Sequence, residues 1–267
     1  MARLDGKNVL VTGASSGIGQ AIAVRFAEEG ANVAINYRSG ADQAEATRML
    51  ARKARSNGGG GREILVQADV SKEDDVRRMF ATVTDEFGGL DVLVNNAGIQ
   101  KACPSHETDI ADFDRILAVN LRGPFLCARE AIRLFLGRGG GVILNNSSVH
   151  EIIPKPKYLS YSISKGGMEN LTKSLALEYA DRNIRVNAVG PGAVVTPINK
   201  AWTNDPHARG EVESHIPMGR AAAACEIAAV FAFLASDEAA YITGQTIFAC
   251  GGLTLYPEFR VAWSSGE

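Results

Sequence analysis

Short runs of almost uninterrupted Val, Ile, Leu and Ala recur along this chain, separated by longer segments with the spacing of amphipathic helices. The runs lie at residues 8–12, 32–37, 64–68, 91–95, 141–145, 185–189 and 246–249. A strand with water on one face alternates apolar and polar residues. A strand that is apolar throughout needs cover on both faces, as in a parallel sheet flanked by helices. Helices are predicted at 17–29, 41–56, 73–87, 109–136, 158–180 and 225–235, between the strands, which makes each β-α-β step a right-handed crossover. The chain thus reads as an α/β protein with a seven-stranded parallel sheet and helices on both faces.

At 267 residues the chain is within reach of one large α/β domain, and no linker or internal repeat divides it. Residues 1–267 are therefore expected to form a single domain. The glycine run at 57–61 is expected to be a surface connector. The stretch 193–215, with Pro197 and Pro206 and little periodicity, is too long for an ordinary connection, so a lid is predicted over about 193–220. Lys plus Arg total 28 against 30 Asp plus Glu, a net charge of -2, which gives no field to attract nucleic acid or an anionic membrane. Cys103, Cys127, Cys225 and Cys250 are scattered, without a CxxC or histidines at metal-ligand spacing, so reduced thiols and no metal site are expected. Residues 1–7 pass straight into the first strand, leaving no room for a signal peptide, and no apolar stretch reaches the ~18 residues of a membrane span. A soluble cytoplasmic protein is expected.

Gly13-Ala14-Ser15-Ser16-Gly17-Ile18-Gly19 follows the first strand and opens the first helix. That context is what a dinucleotide fingerprint requires. Glycines let the backbone approach a pyrophosphate, and free N–H groups at a helix start favour its charge. The sheet is accordingly expected to be of Rossmann type, with Gly13, Ser15, Ser16, Gly17, Ile18 and Gly19 around the cofactor.

Tyr161 and Lys165 stand four apart on a predicted helix, hence on one face. An ammonium beside a phenol favours the phenolate, turning a poor general base into a usable one. Tyr158 competes on the same helix, but only Tyr161 has a lysine four positions on. His150, two residues after Ser148, is either a surface loop residue or faces the substrate.

The glycine motif, with Asp69-Val70, Asn95-Asn96-Ala97-Gly98, Asn120, Ser147-Ser148, the Tyr161/Lys165 pair and Pro191-Gly192, resembles the short-chain dehydrogenase/reductase family across almost the whole chain. The resemblance implies that Tyr161 takes the proton of a substrate hydroxyl as hydride leaves the same carbon. It also implies that Lys165 assists the phenol and holds the nicotinamide ribose, that Ser148 bonds the reacting oxygen, and that Asn120 holds a water passing the proton outward. Asp69, Val70, Asn96, Ala97, Gly98, Pro191, Gly192, Val194 and Thr196 are implied to complete the cofactor site. Asn36-Tyr37-Arg38-Ser39, Ser148-Val149-His150-Glu151, Thr196-Pro197-Ile198-Asn199 and the tail Gly251-Gly252-Leu253-Thr254-Leu255-Tyr256-Pro257 look like the glucose 1-dehydrogenase branch, which adds Asn199 to Ser148, His150 and Tyr161 on the substrate side.

No carboxylate ends the second strand to accept from a ribose 2′-hydroxyl or to repel a 2′-phosphate, and Arg38 with Ser39 stands there instead. NADP is expected to be accepted and NAD still usable, unless Arg38 is merely exposed. The chain departs from the family at 219–226, which lack a helix-starting Pro-Glu or Pro-Asp step, and at Cys250, where an aspartate is usual. It departs from the glucose dehydrogenases at Lys155 and Ser160, where bulkier residues are usual, and at Gln100, in place of a carboxylate. Three functions follow as candidates: oxidation of an aldose such as β-D-glucose at C1 to the lactone, carbonyl or 3-oxoacyl reduction, and non-catalytic NAD(P) binding in regulation. The apolar tail at 253–267 would leave an exposed patch on a monomer, and with the family's two-fold assemblies it implies a homotetramer.

Overall fold

The computed structural model describes residues 3–55 and 61–255. Most of the expected glycine connector and of the C-terminal tail lies outside the described residues. Seven parallel strands form one sheet in the order β3-β2-β1-β4-β5-β6-β9. They are β1 Asn8–Val11, β2 Asn32–Tyr37, β3 Glu63–Gln67, β4 Val92–Asn95, β5 Gly141–Asn146, β6 Ile184–Pro191 and β9 Thr246–Ala249; β7 Val194–Val195 and β8 Ala222–Ala223 pair separately. The helices are α1 Gly17–Glu28, α2 Ala41–Ala54, α3 Glu73–Phe87, α4 Ile110–Leu117, α5 Gly123–Arg138, α6 Leu159–Tyr179, α7 Lys200–Thr203, α8 Pro206–Ser214 and α9 Ala224–Ala235.

The unbroken apolar runs have a simple cause. Val9, Val11, Val33, Ile35, Val92 and Val94 pack into one core with Phe26 of α1, Ala51 of α2 and Phe231 of α9. The residues between them, Leu10, Ala34 and Leu93, pack into a second core with Phe80 of α3, Phe135 of α5 and Ala176 of α6. Successive side chains point to opposite faces, and here both faces are buried.

Two expectations need correction. The helix predicted over 109–136 is broken: α4 and α5 are joined by a π turn at Ala118–Arg122. Pro124 has no N–H to give the preceding turn, Gly123 packs against Val70 so closely that a Cβ would lie 3.0 Å from its Cγ2, and Asn120 turns its amide to another loop. The stretch 193–215 is not structureless, because it holds β7, α7 and α8. Helix α8 is short and mostly polar, with Ala208 and Val212 the only apolar residues on its partly covered face, so its apolar period is too brief to read, but Asp205 caps it by accepting from His207 N at 2.9 Å and Pro206 opens it. The helix start without proline has a substitute. The Glu226 carboxylate accepts from Ala223 N at 2.8 Å and from Arg220 at 2.6 and 2.7 Å, and these bonds hold its pKa down to about 2. All four cysteines are free.

Candidate active site

Connections after β1 and β4 leave the sheet in opposite directions, and a crevice opens at the C-terminal strand ends where this happens. Here it is a cavity of about 1150 Å3. Into its wall come Gly13, Ser15, Ser16, Gly17, Ile18 and Gly19 from the β1–α1 turn, Arg38 and Ser39 from the end of β2, and Asp69 and Val70 from beyond β3. Asn96, Ala97 and Gly98 follow β4; Ser148 and His150 follow β5; Tyr161 and Lys165 come from α6. Pro191, Gly192, Val194, Thr196 and Asn199 line it from β6 onward. Asn120 does not reach the wall.

The β1–α1 turn is held by side chains brought from distant loops. Asn96 Nδ2 donates to the carbonyls of Thr12 and Gly13 at 2.9 and 3.0 Å, and Asn146 Nδ2 donates to Asn96 Oδ1 at 2.9 Å. Asn36 Oδ1 accepts from Gly13 N at 3.1 Å. A Cβ on Gly19 would stand 2.3 Å from Asn96 Nδ2, and one on Gly13, whose φ is +60°, 2.7 Å from Ala97 Cα. These glycines thus serve loop packing as well as ligand access, and the Asn96 amide is committed to the turn. Helix α1 starts at Ser16 with no side-chain cap and no acid in its first turn, which suits an anionic pyrophosphate. Buried Asn146 Oδ1, also in the cavity wall, has no hydrogen-bond partner among the described residues. The donor set and the orphaned acceptor fit a dinucleotide. Asp69 accepts from Ser71 N and Oγ at 3.0 and 2.6 Å. Burial raises its pKa, but Ser71 and the charges of Arg38 and Lys72 outweigh that and leave it lowered. Arg38 makes no salt bridge among the described residues.

At the other end, β5 delivers Ser148, whose Oγ accepts from His150 N at 3.1 Å and is hydrogen-bonded to the Tyr161 hydroxyl. Lys165 is 4% exposed and donates to Asn146 O at 2.7 Å, with Nζ 5.5 Å from the centre of the Tyr161 ring. Burial pushes the lysine down to about 8, opposed by the charge of Glu151. Burial likewise raises the Tyr161 phenol, and the bond with Ser148 offsets only part of this. The expected lowering of the phenol by Lys165 is therefore not what this arrangement gives, because the ammonium points to the Asn146 carbonyl and desolvation prevails.

His150 belongs to the wall, not the outer surface. Its Nδ1 lies 2.9 Å from Ile153 O, which assigns the proton to Nδ1 and leaves Nε2 as an acceptor. Burial and the charge of Lys155 hold its pKa down, and its ring stands edge-on to Tyr161, 6.1 Å between centres at 75°. Asn199 Nδ2 donates to Val194 O at 2.8 Å and Thr196 Oγ1 at 3.3 Å, bracing its own loop. Asn120, fully buried, accepts from Ile99 N and donates to Ile99 O, each at 2.9 Å, and donates to Ser164 Oγ at 3.1 Å. Ser164 Oγ in turn donates to Tyr161 O at 2.6 Å. Sequence reasoning missed the bracing by Asn36 and Asn146; the signal available for both was an asparagine at the C-terminal end of an apolar run.

A family model described as enoyl-(acyl carrier protein) reductase matches residues 13–254. The chain is 52% identical to a glucose 1-dehydrogenase of Gluconobacter oxydans over 98% of its length and 97% of that protein. It is 51% identical to a 3beta-hydroxysteroid dehydrogenase of Eggerthella lenta over 96% and 97% of the two chains. A gluconate 5-dehydrogenase of Burkholderia cenocepacia, solved with NADP and tartrate, superposes with a TM-score of 0.86 at 34% identity, covering 95% of this chain and 97% of that one.

Proposed function

The chain belongs to the short-chain dehydrogenase/reductase family, and from that premise we propose that it oxidises an aldose, β-D-glucose or a close relative, at C1 to the lactone with NADP or NAD as acceptor. The observation that carries the chemical part is the meeting of Ser148, Tyr161 and Lys165 in the cavity that the β1–α1 turn also lines. The likeness to a glucose 1-dehydrogenase supports the sugar.

When bound, the nicotinamide supplies the two-electron acceptor for the hydrogen on the hydroxyl-bearing carbon. The chain's own residues handle the proton. Ser148 Oγ, already bonded to the Tyr161 hydroxyl, positions the sugar oxygen; Tyr161 gives up its own proton to solvent first, and the resulting phenolate oxygen accepts the proton of the sugar hydroxyl. Lys165, charged below about pH 8, places a cation near the ring that favours the phenolate before it accepts the proton, and offers its remaining N–H donors to the ribose. Asn120 sets the Ile99 loop against α6 beneath Tyr161, and Asn96, Asn36 and the α1 start hold the pyrophosphate turn. Arg38 and Ser39 meet the adenosine ribose, with room for a 2′-phosphate. His150 Nε2 accepts from a sugar hydroxyl.

A second reading, a carbonyl or 3-oxoacyl reductase, draws support from the apolar Val212, Ile216 and Leu253 in the wall and from the hydroxysteroid dehydrogenase likeness. Phe125 and Leu136 on α5, and Ile163 and Leu177 on α6, are exposed apolar side chains that support a homotetramer. The test is a panel of sugars, alcohols and 3-oxoacyl compounds scored by absorbance of reduced cofactor, repeated with Tyr161→Phe. Sugar oxidation is expected to fall about 10²–10⁴-fold in that variant with cofactor binding kept. Turnover confined to ketones or acyl compounds selects the second reading, and a fully active Tyr161→Phe removes the proposed base.

A further inference from the structure

The ionisable side chains of the cavity wall are Arg38, Asp69, His150, Lys155, Tyr161, Lys165 and His215. One carboxylate stands among these described residues, and it is Asp69, tied to Ser71 beyond β3 at the dinucleotide end. The end near Tyr161 therefore has cations and no anion in its described wall. Lys165 there is engaged with the Asn146 carbonyl. Lys155, exposed at the cavity mouth, has neither a salt bridge nor a hydrogen bond at Nζ among the described residues, and its ammonium rests on the Tyr158 ring, 4.2 Å from the ring centre.

The backbone around the lysine is restricted. Pro154 and Pro156 flank it, each fixing its own φ, and Lys155 O accepts from Tyr158 N at 3.2 Å. Tyr158 occupies the N-cap position of α6 without a side-chain cap bond, three residues before Tyr161, so the aromatic seat of the ammonium lies about one turn from the phenol. The neighbouring His150 has Nδ1 committed to Ile153 O and carries no carboxylate partner to compensate Lys155. Gln100 in the same wall is an uncharged amide. Lys155 itself is exposed to solvent, and the partial desolvation of its ammonium at the cavity mouth lowers its pKa from the ordinary value, with no carboxylate at that end of the described wall to oppose it.

We propose that Lys155 selects an acidic sugar: an aldose carrying an anionic oxygen group, carboxylate or phosphate, on a carbon remote from the reacting hydroxyl. The inference rests on the sugar-oxidation reading above and narrows its substrate class. The Lys155 ammonium meets the remote anion as a point charge, His150 and Ser148 meet hydroxyls, and Tyr161 meets the reacting one.

The experiment compares kcat/KM for glucose, glucuronate and glucose 6-phosphate with NADP in the native enzyme, Lys155→Met and Lys155→Arg. In the native enzyme at least one acidic sugar is expected to exceed glucose. The acidic-to-neutral ratio should fall about 10- to 100-fold in Lys155→Met, the loss of a charged hydrogen bond, and should survive in Lys155→Arg. Preference for glucuronate alone identifies a carboxylate, for the phosphate ester alone a phosphate. Glucose equal to or better than both acids, or a Lys155→Met variant with an unaltered ratio, overturns the proposal. Calorimetric titration of glucuronate and of glucose 6-phosphate into the NADP-bound native enzyme and Lys155→Met separates this from the underlying reading. If no sugar is oxidised, sugar oxidation fails as the function, yet binding of an acid lost in Lys155→Met still establishes the anion site, and absent or equal binding removes it.

Discussion

Lys165→Met should abolish turnover with cofactor supplied and, near neutral pH, make the cofactor-free protein more stable. The native Nζ has one oxygen partner, Asn146 O at 2.7 Å, and the Met168 sulfur at 4.0 Å, in a site that leaves the residue 4% exposed. Burial lowers its pKa from 10.5 to about 8. At ~1.4 kcal/mol per pH unit, keeping that lysine charged costs on the order of 3 kcal/mol at pH 7. The sign follows from the order of the two values. The folded pKa is the lower one, so the cost is complete below about pH 8, declines as pH rises from there toward 10.5, and is absent where the lysine is neutral in both states. Methionine fills a similar volume without charge but leaves the Asn146 carbonyl without its donor, which costs ~1 kcal/mol. The net gain is ~2 kcal/mol at pH 7. With unfolding entropy near ~2.1 cal/mol/K per residue over 267 residues, each kelvin of Tm corresponds to ~0.56 kcal/mol, so Tm should rise by ~4 °C. The gain should vanish by about pH 10, leaving the variant slightly the weaker. Scanning calorimetry of both proteins at pH 7, 8.5 and 10 checks this. A variant less stable than the native protein at pH 7, or a Tm difference that does not change with pH, refutes the reasoning.

Arg38→Ala should raise KM for NADP by about one to two decades, the loss of a charge-assisted hydrogen bond, with a much smaller change for NAD; equal changes would show that Arg38 does not meet the 2′-phosphate. Asn120→Ala leaves Ile99 N and Ile99 O without their partners, which should destabilise the protein by ~2–4 kcal/mol and lower Tm by ~4–7 °C. An unshifted melting curve would show that the π turn holds without the asparagine.

The sheet could be read from the sequence because each strand's two faces are both buried, and that condition leaves its mark on every residue of Val9, Leu10 and Val11 or of Val92, Leu93 and Val94. Helix α3 could be read to the residue for the same local reason, an acidic first turn at Glu73 and a left-handed glycine, Gly88, at its end. The π turn at Ala118–Arg122 could not. Gly123-Pro124 marks a weak point in the helical pattern, but the contact between Asn120 and Ile99, 21 residues away, which shapes the turn, leaves no mark there. Helices α7 and α8 escaped because they bury no side chain fully and so have too brief an apolar period to read. The ionisation of the Tyr161 and Lys165 pair escaped for another reason. Spacing on a helix places two side chains on one face, but the electrostatic outcome depends on how much water each keeps, and α6 buries both against the end of β5.

That distinction also orders the polar residues of the site. Asn36, Asn96, Asn120 and Asn199 lie at or behind the wall, yet their amides are committed to backbone groups of Gly13, Thr12, Ile99 and Val194. They shape the cavity. The groups that the fold leaves uncommitted are fewer: Asn146 Oδ1 and the uncapped α1 start near the turn, Arg38 at the end of β2, and His150 Nε2 with Lys155 beside Tyr161. A buried polar atom without a partner, such as Asn146 Oδ1, is costly, so it marks a place where a ligand's polarity completes what the protein does not; Arg38 and Lys155 are exposed and solvated, and they offer charge to a ligand without that cost. Read from one end to the other, they call for an acceptor of backbone N–H groups, an anion or hydroxyl for Arg38, and a hydroxyl-rich molecule with negative charge at its far end beside Tyr161.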